Sequence, residues 1–362
     1  MSRTPPAPEV RAQARKTVGI AGTPASWERY VASASVERLR RVADVSWLPY
    51  DGADRGSGPP PSDGEAVGRL HEFVTGLDAL VVGYGCPRVT AGVLAAGKRL
   101  VVVGDTHGDR FAERIDVAAA RDAGVLVVDT TNGSSDPVAE WALALILIGL
   151  RNAGAHFRRL IGGEVLWPDR TVFQADPGYL RGELAGKTVG LVAAGLIGRR
   201  LIELLRPFGV HVLVSDPGVP DLLAGTYDLD LTDLDTVMAR SEVVVCLAPL
   251  TAATKGLIGA DQIRAMRPGT VFVNVSRGAV VDSEALVERL ATGDLIACLD
   301  VFDPEPLPAD SPLRAMGNVF LSPHIAGVTA AAEPRFFDLM VDELERVFAG
   351  YRPRFPLVPR NG

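Results

Sequence analysis

Short apolar runs alternate along the chain with stretches whose apolar positions recur at helical spacing. That alternation predicts parallel α/β sheets, because a helix must carry the chain back across a sheet before the next parallel strand begins. A first strand is predicted at residues 17–20, followed by a helix over 27–42 and a Gly/Pro-rich hydrophilic loop over 51–64. A helix ending at Thr75 comes next, then strands at 79–83, 100–104 and 125–129, with helices at 91–96 and 116–123 between them. These elements suffice for a small flavodoxin-like domain. A second series begins strands at Thr188, Val210, Glu242, Thr270, Ile296 and Asn318, enough for a nucleotide-binding domain.

Between the two series lies a helix predicted over 137–151, with Pro137 near its start and Asp136 as its expected cap. It is apolar all round, which predicts burial between domains or subunits. Its longest apolar run, 141–150, falls far short of the ~20 residues that span a bilayer. Residues 152–182 read as an irregular arm reaching over a partner. The last helix, 335–350, carries an apolar stripe of Phe336, Leu339, Met340, Leu344, Val347 and Phe348 and is expected to return to the first domain.

Composition narrows the function classes. At 47% hydrophobic and 22% charged, the 362 residues can build cores that a disordered chain could not. The net charge of −7 argues against a dedicated nucleic-acid binder. Residues 1–16 read as a disordered tail with no apolar segment of the kind a signal peptide needs. The three cysteines, Cys86, Cys246 and Cys298, offer neither a disulfide framework nor a metal-binding pair, so no metal and a cytoplasmic location are expected.

Candidate chemistry starts at the second series. Residues 188–193 form a strand leading into Ala194-Gly195-Leu196-Ile197-Gly198 and a helix. Small residues at such a turn let a pyrophosphate approach the backbone, and the helix N-terminus offers it free N–H groups. Asp216 ends the next strand, 18 residues beyond Gly198, where a carboxylate accepts ribose hydroxyls and repels a 2′-phosphate. NAD is therefore expected over NADP. The full G-x-G-x-x-G fingerprint would need Gly at 193, and this chain has Ala193, so about 1 kcal/mol of strain is expected if the turn needs positive φ. Three reactive side chains follow later strands: Arg277, Glu305 and His324. Loops at the carboxyl ends of strands converge on the ligand crevice of an open α/β sheet.

The segments TVGLVAAGLIGRRL, CLAPLTAATKGLI, MRPGTVFVNVSRGAVVDSEAL, LDVFDPEPLP and SPHIAG together resemble the D-isomer-specific 2-hydroxyacid dehydrogenase family over residues 137–329. The resemblance implies a Rossmann-type cofactor domain at 131–328 and a discontinuous substrate domain at 17–130 and 329–352. It also implies hydride exchange between NAD and a D-2-hydroxy or 2-oxo acid, and a homodimer around the 137–151 helix; the acidic charge and the short apolar run leave no nucleic acid or membrane expected as partner. Ketone reduction puts negative charge on oxygen, so a proton donor and a cation must lie near it. His324 is the expected acid, Glu305 the carboxylate that fixes its tautomer, and Arg277 the fork for the substrate's carboxylate and carbonyl. By resemblance Leu196 and Ile197 donate backbone N–H groups to the pyrophosphate, and Val275 and Ser276 line the ribose. Asp300 meets the nicotinamide amide, Gly327 closes the loop after His324, and Pro249 and Thr254 border the adenosine. Tyr84 and Gly85, after the third expected strand of the first domain, are implied as substrate contacts. The Arg-Ser pair that phosphoglycerate-specific relatives carry there is absent. A non-catalytic NAD(H) sensor on the same fold is the rival reading.

Overall fold

Among the described residues, two sheets of parallel strands organise the chain. The computed structural model describes residues 15–51, 60, 63–108, 113–166, 171, 174, 182–219 and 221–357. The chain divides into two compact units, residues 1–133 with 333–360 and residues 134–332. Most of the hydrophilic loop expected at 51–64, of the tail at 1–16 and of the arm beyond residue 166 lies outside the described residues.

The first unit orders its strands β2-β1-β3-β4-β5: β1 (Lys16–Gly22), β2 (Ala43–Pro49), β3 (Ala79–Val82), β4 (Val102–Asp105) and β5 (Leu126–Val128). This is the doubly wound flavodoxin-type order. Its helices are α1 (Pro24–Tyr30), α2 (Ser33–Arg40), α3 (Gly64–Val74), α4 (Ala91–Ala96) and α5 (Val117–Asp122). The single helix expected over 27–42 is therefore two, broken at extended Val31 and Ala32. Thr23 caps α1 by accepting from Ser26 N, with Pro24 at the first helical position.

The second unit opens with α6 (Ser135–Leu150) and α7 (Ala153–Ile161). The strands that follow are β6 (Thr188–Val192), β7 (His211–Ser215), β8 (Asp230–Leu231), β9 (Val243–Cys246), β10 (Val271–Asn274), β11 (Ile296–Leu299) and β12 (Val319–Leu321). They lie in the order β12-β11-β10-β9-β6-β7-β8, so the winding reverses between β6 and β9. The helices between them are α8 (Leu196–Leu205), α9 (Asp221–Tyr227), α10 (Leu234–Arg240), α11 (Ala260–Ala265) and α12 (Ser283–Ala291). The central strands β9, β10 and β11 are buried at every position, which is why they read as unbroken apolar runs. The final helix, α13 (Glu333–Phe348), belongs to the first unit, and its buried residues are Phe337, Met340, Val341, Glu343 and Leu344.

Three local expectations around α6 need correcting. Asp136 does not cap the helix, which begins one residue earlier; it sits in the first turn and pairs with Arg200 at 2.9 Å. A 3-10 turn also extends the helical stretch to residues 131–150, long and apolar enough to cross a membrane by length and composition, with half of it buried in the fold. The buried half belongs to the unit's own core: Ala142, Leu145, Ile146 and Leu150 pack with Val271, Val273 and Cys298 of the sheet. The segment after α6, expected to be irregular, starts with α7.

Candidate active site

The dinucleotide turn follows β6. Ala193 adopts φ +76°, a left-handed conformation that costs an alanine about 1–2 kcal/mol. Its N–H is held by Ser215 O at 2.9 Å, so sheet pairing fixes the turn. Gly195 is the N-cap residue of α8 and has no side-chain cap. A Cβ built on Gly195 would meet nothing within 4 Å, so the space over the helix end is open to a ligand. A Cβ on Gly198 would lie 3.1 Å from Ala193 O, which keeps the first turn of α8 tight against the loop. The N–H groups of Leu196, Ile197 and Gly198 lie in that first turn, where a helix has no acceptors of its own.

Asp216 stands just past the end of β7, its two carboxylate oxygens accepting from Ala194 N at 2.9 Å and Gly218 N at 2.8 Å. One lone pair on each oxygen remains for a sugar hydroxyl. The open cradle at Gly195, the helix end and this carboxylate together fit a dinucleotide. Thr254 is turned inward: its hydroxyl accepts from Thr251 N at 2.8 Å and donates to Pro249 O, tying off the loop after β9. Ser276 likewise spends its hydroxyl on Ala248 O, joining the ends of β9 and β10. Val275 is buried beside it.

Arg277, Glu305 and His324 follow the carboxyl ends of β10, β11 and β12, three adjacent strands. Asn274 builds the turn under Arg277, accepting from Ser276 N at 3.0 Å and donating to Arg277 O at 3.2 Å. The next residue must be glycine, since a Cβ at Gly278 would fall 1.9 Å from the carbonyl carbon of Phe302. That close approach packs the Arg277 turn against the start of the loop carrying Glu305. His324 Nδ1 and Glu305 Oε1 lie 2.5 Å apart, with both side chains about one-third exposed. The carboxylate therefore accepts a hydrogen bond from Nδ1–H, and Nε2 is the nitrogen left to exchange a proton with a ligand.

His324 itself is left-handed at φ +54°. Its N–H donates to Asp300 O at 2.8 Å and Ser322 O at 3.1 Å. Asp300 is fully buried, and its Oδ2 accepts from Ala326 N at 3.0 Å. Oδ1 accepts from Ile325 N at 3.1 Å, Ser322 Oγ at 2.5 Å and Trp141 Nε1 at 3.2 Å. The residue expected beside the nicotinamide amide thus gathers four donors from the protein, and only Oδ2 keeps an unspent lone pair. Gly327 lets the loop lie against α6: a Cβ there would reach Ser134 Cβ at 3.3 Å and Val138 Cγ2 at 3.4 Å. Trp141, Asn274 and Ser322 hold these loops through hydrogen bonds that their place in the motifs does not announce. A tryptophan in an apolar helix is a signal in itself, because its indole N–H needs a partner when buried.

The first unit has its own cluster after β3 and β4. Tyr84 stacks on His107 with ring centroids 3.9 Å apart, and the Arg114 guanidinium lies 4.7 Å from the Tyr84 centroid. Arg114 also reaches buried Asp105 at 3.1 Å and His107 Nε2 at 2.7 Å. Gly85 takes φ +75°, with no room for a Cβ beside Thr23. All three thiols are buried; burial pushes Cys246 and Cys298 up to about 12 and raises Cys86 as well.

Comparison with known proteins bears on this arrangement. Residues 143–326 match the model of the D-isomer specific 2-hydroxyacid dehydrogenase NAD binding domain. The chain is 35% identical over 268 residues to a glyoxylate reductase of Thermofilum pendens, covering 74% of this chain and 77% of that one. It is 32% identical over 284 residues to a hydroxypyruvate reductase of Thermotoga maritima, covering 77% and 86%. A D-3-phosphoglycerate dehydrogenase of Methanocaldococcus jannaschii is 33% identical over 283 residues, or 78% of this chain, which spans about half that relative's length (52%). Among solved structures, the PH0520 protein of Pyrococcus horikoshii superposes with a TM-score of 0.73 at 26% identity, covering 95% of each chain.

Proposed function

The chain belongs to the D-isomer specific 2-hydroxyacid dehydrogenase family, and from that premise we propose that it interconverts a small 2-oxo acid and its D-2-hydroxy acid. When bound, a reduced nicotinamide supplies a hydride to the carbonyl carbon of the oxo acid. As the new C–H bond forms, the C=O π pair moves onto oxygen, and His324 Nε2 gives that oxygen a proton. Glu305 supports the imidazolium before transfer and keeps the ring in the matching tautomer afterwards. Arg277 pairs its planar fork with the substrate carboxylate and carbonyl oxygen, stabilising the developing charge. The single observation that carries this reading is the 2.5 Å His324–Glu305 contact between the loops after β12 and β11, with Arg277 in the loop after β10, the next strand of the same sheet.

Asp216 favours NADH over NADPH in this reading, because its carboxylate repels a 2′-phosphate. The expected gap in affinity is at least about tenfold, narrowed by Asp216→Ala. A homodimer is supported by the exposed apolar residues of α7, Phe157 (63%), Leu160 (58%) and Ile161 (70%), next to α6. Sedimentation should give twice the mass of the 38.3 kDa chain, and a monomer at micromolar concentration would contradict it. Three buried thiols suit a reducing cytoplasm.

The test of the activity is a panel of glyoxylate, hydroxypyruvate, pyruvate and bulkier apolar 2-oxo acids, followed by loss of NADH absorbance. Oxidation of NADH by at least one of them is expected. Tight NADH binding with no turnover of any would favour a sensor instead.

A further inference from the structure

A catalytic histidine at φ +54° does not hold that backbone unaided, since a non-glycine residue there is strained and relaxes unless its surroundings over-determine it. The restraint on His324 comes from below the loop. Asp300 grips the segment at three successive amides: its carbonyl takes His324 N, and its carboxylate takes Ile325 N and Ala326 N. A buried carboxylate can serve as such a clamp only if the rest of its acceptor capacity is filled, because an under-bonded buried charge draws in water or shifts toward other donors. Trp141 and Ser322 fill it at Oδ1, leaving one lone pair of Oδ2 for a ligand. The indole Nε1–H of Trp141 reaches Asp300 Oδ1 and Ser322 Oγ, each at 3.2 Å, and the Ser322 hydroxyl donates to the same Oδ1 at 2.5 Å. Ser322 is also anchored by its own N–H on Leu299 O at 3.0 Å, so the hydroxyl is aimed by the end of β11.

Resting on the function proposed above, we infer that Trp141 and Ser322 are positioning residues for the proton transfer, acting through Asp300 on the backbone of His324. Neither side chain reaches the reacting atoms; both set where Nε2 stands. The link also ties the loop to α6, the element that carries Trp141.

Trp141→Phe keeps an aromatic ring and removes only the donor, and Ser322→Ala removes the other. Each variant is checked for folding by circular dichroism and for NADH binding by fluorescence. In reduction of the best 2-oxo acid, kcat should fall about threefold to tenfold with KM and NADH affinity within about twofold, since small misplacements of a reacting group act on the chemical step. The double variant should lose less than the product of the single losses, because both donors serve one oxygen. Hydrogen exchange on the cofactor-free protein supplies an arm independent of turnover: the Ile325 and Ala326 amides should exchange at least about threefold faster in either variant. Unchanged kcat, a loss confined to KM, or unchanged exchange at both amides would overturn the assignment. Were the parent protein inactive on every oxo acid, the proposed function would fall while the exchange arm still decided whether Trp141 and Ser322 hold the loop.

Discussion

Replacing Ala193 with glycine is expected to make the second unit more stable, a reversal of the usual outcome of putting glycine into a folded chain. Ala193 sits at φ +76°, where a Cβ costs about 1–2 kcal/mol. Glycine removes that strain but gains freedom in the unfolded chain, which takes back about 0.5–1 kcal/mol. Mid-range values of the two leave a net stabilisation of about 0.5–1 kcal/mol. The unit spans residues 134–332, a size at which each kcal/mol moves the melting temperature by about 2–4 °C. Calorimetry of Ala193→Gly should therefore show its transition about 1–4 °C higher, with a urea midpoint raised and the slope unchanged. A melting temperature equal to or below the parent's would mean that the turn is unstrained or that the methyl group makes compensating contacts, and the argument from backbone conformation would fail.

Gly195→Ala tests the neighbouring cradle in the opposite sense. The new methyl meets nothing in the protein, so stability should change by less than about 1 kcal/mol while NADH affinity falls about tenfold or more; unaltered NADH binding would remove Gly195 from the pyrophosphate site. A pH-dependent contribution is expected in the first unit at Asp78. Burial pushes its carboxyl upward, but the Thr17 N–H and hydroxyl, then Lys16 and Arg99, outweigh it and hold it below the ordinary carboxylate range. A depressed folded value stabilises above the unfolded value of about 3.9 and is lost as pH falls through the folded one. Asp78→Asn should thus cost about 1–3 kcal/mol near neutrality, with the gap to the parent closing below about pH 4. A gap of constant size from pH 7 to pH 3 would show that charge is not what Asp78 contributes.

The α/β class was legible because parallel strands buried on both faces leave continuous apolar runs, as in β9, β10 and β11. What escaped the sequence had weaker signals for physical reasons. Strand β2 lies at a sheet edge with only Ala43 buried, so its residues ADVSWLP carry no apolar run. Strand β8 is two residues long, below any periodicity. The break between α1 and α2 is a change of backbone conformation at Val31 and Ala32, with no glycine or proline to announce it. In the site, residues with reactive side chains stood out beside their motifs, whereas Asn274, Ser322 and Trp141 act through contacts that only the fold brings together. Trp141 and Ser322 are 181 positions apart in sequence yet 3.2 Å apart in space.

If His324 and Glu305 operate as one proton-transferring unit, a double-substitution cycle on turnover will show it. His324→Ala should lower kcat by about 10²–10⁴ with NADH affinity unchanged. Glu305→Gln should cost less, and the double variant should be no slower than His324→Ala alone, because Glu305 acts only through the imidazole. Full turnover after loss of His324, or a Glu305→Gln penalty that persists undiminished in the absence of His324, would contradict the account.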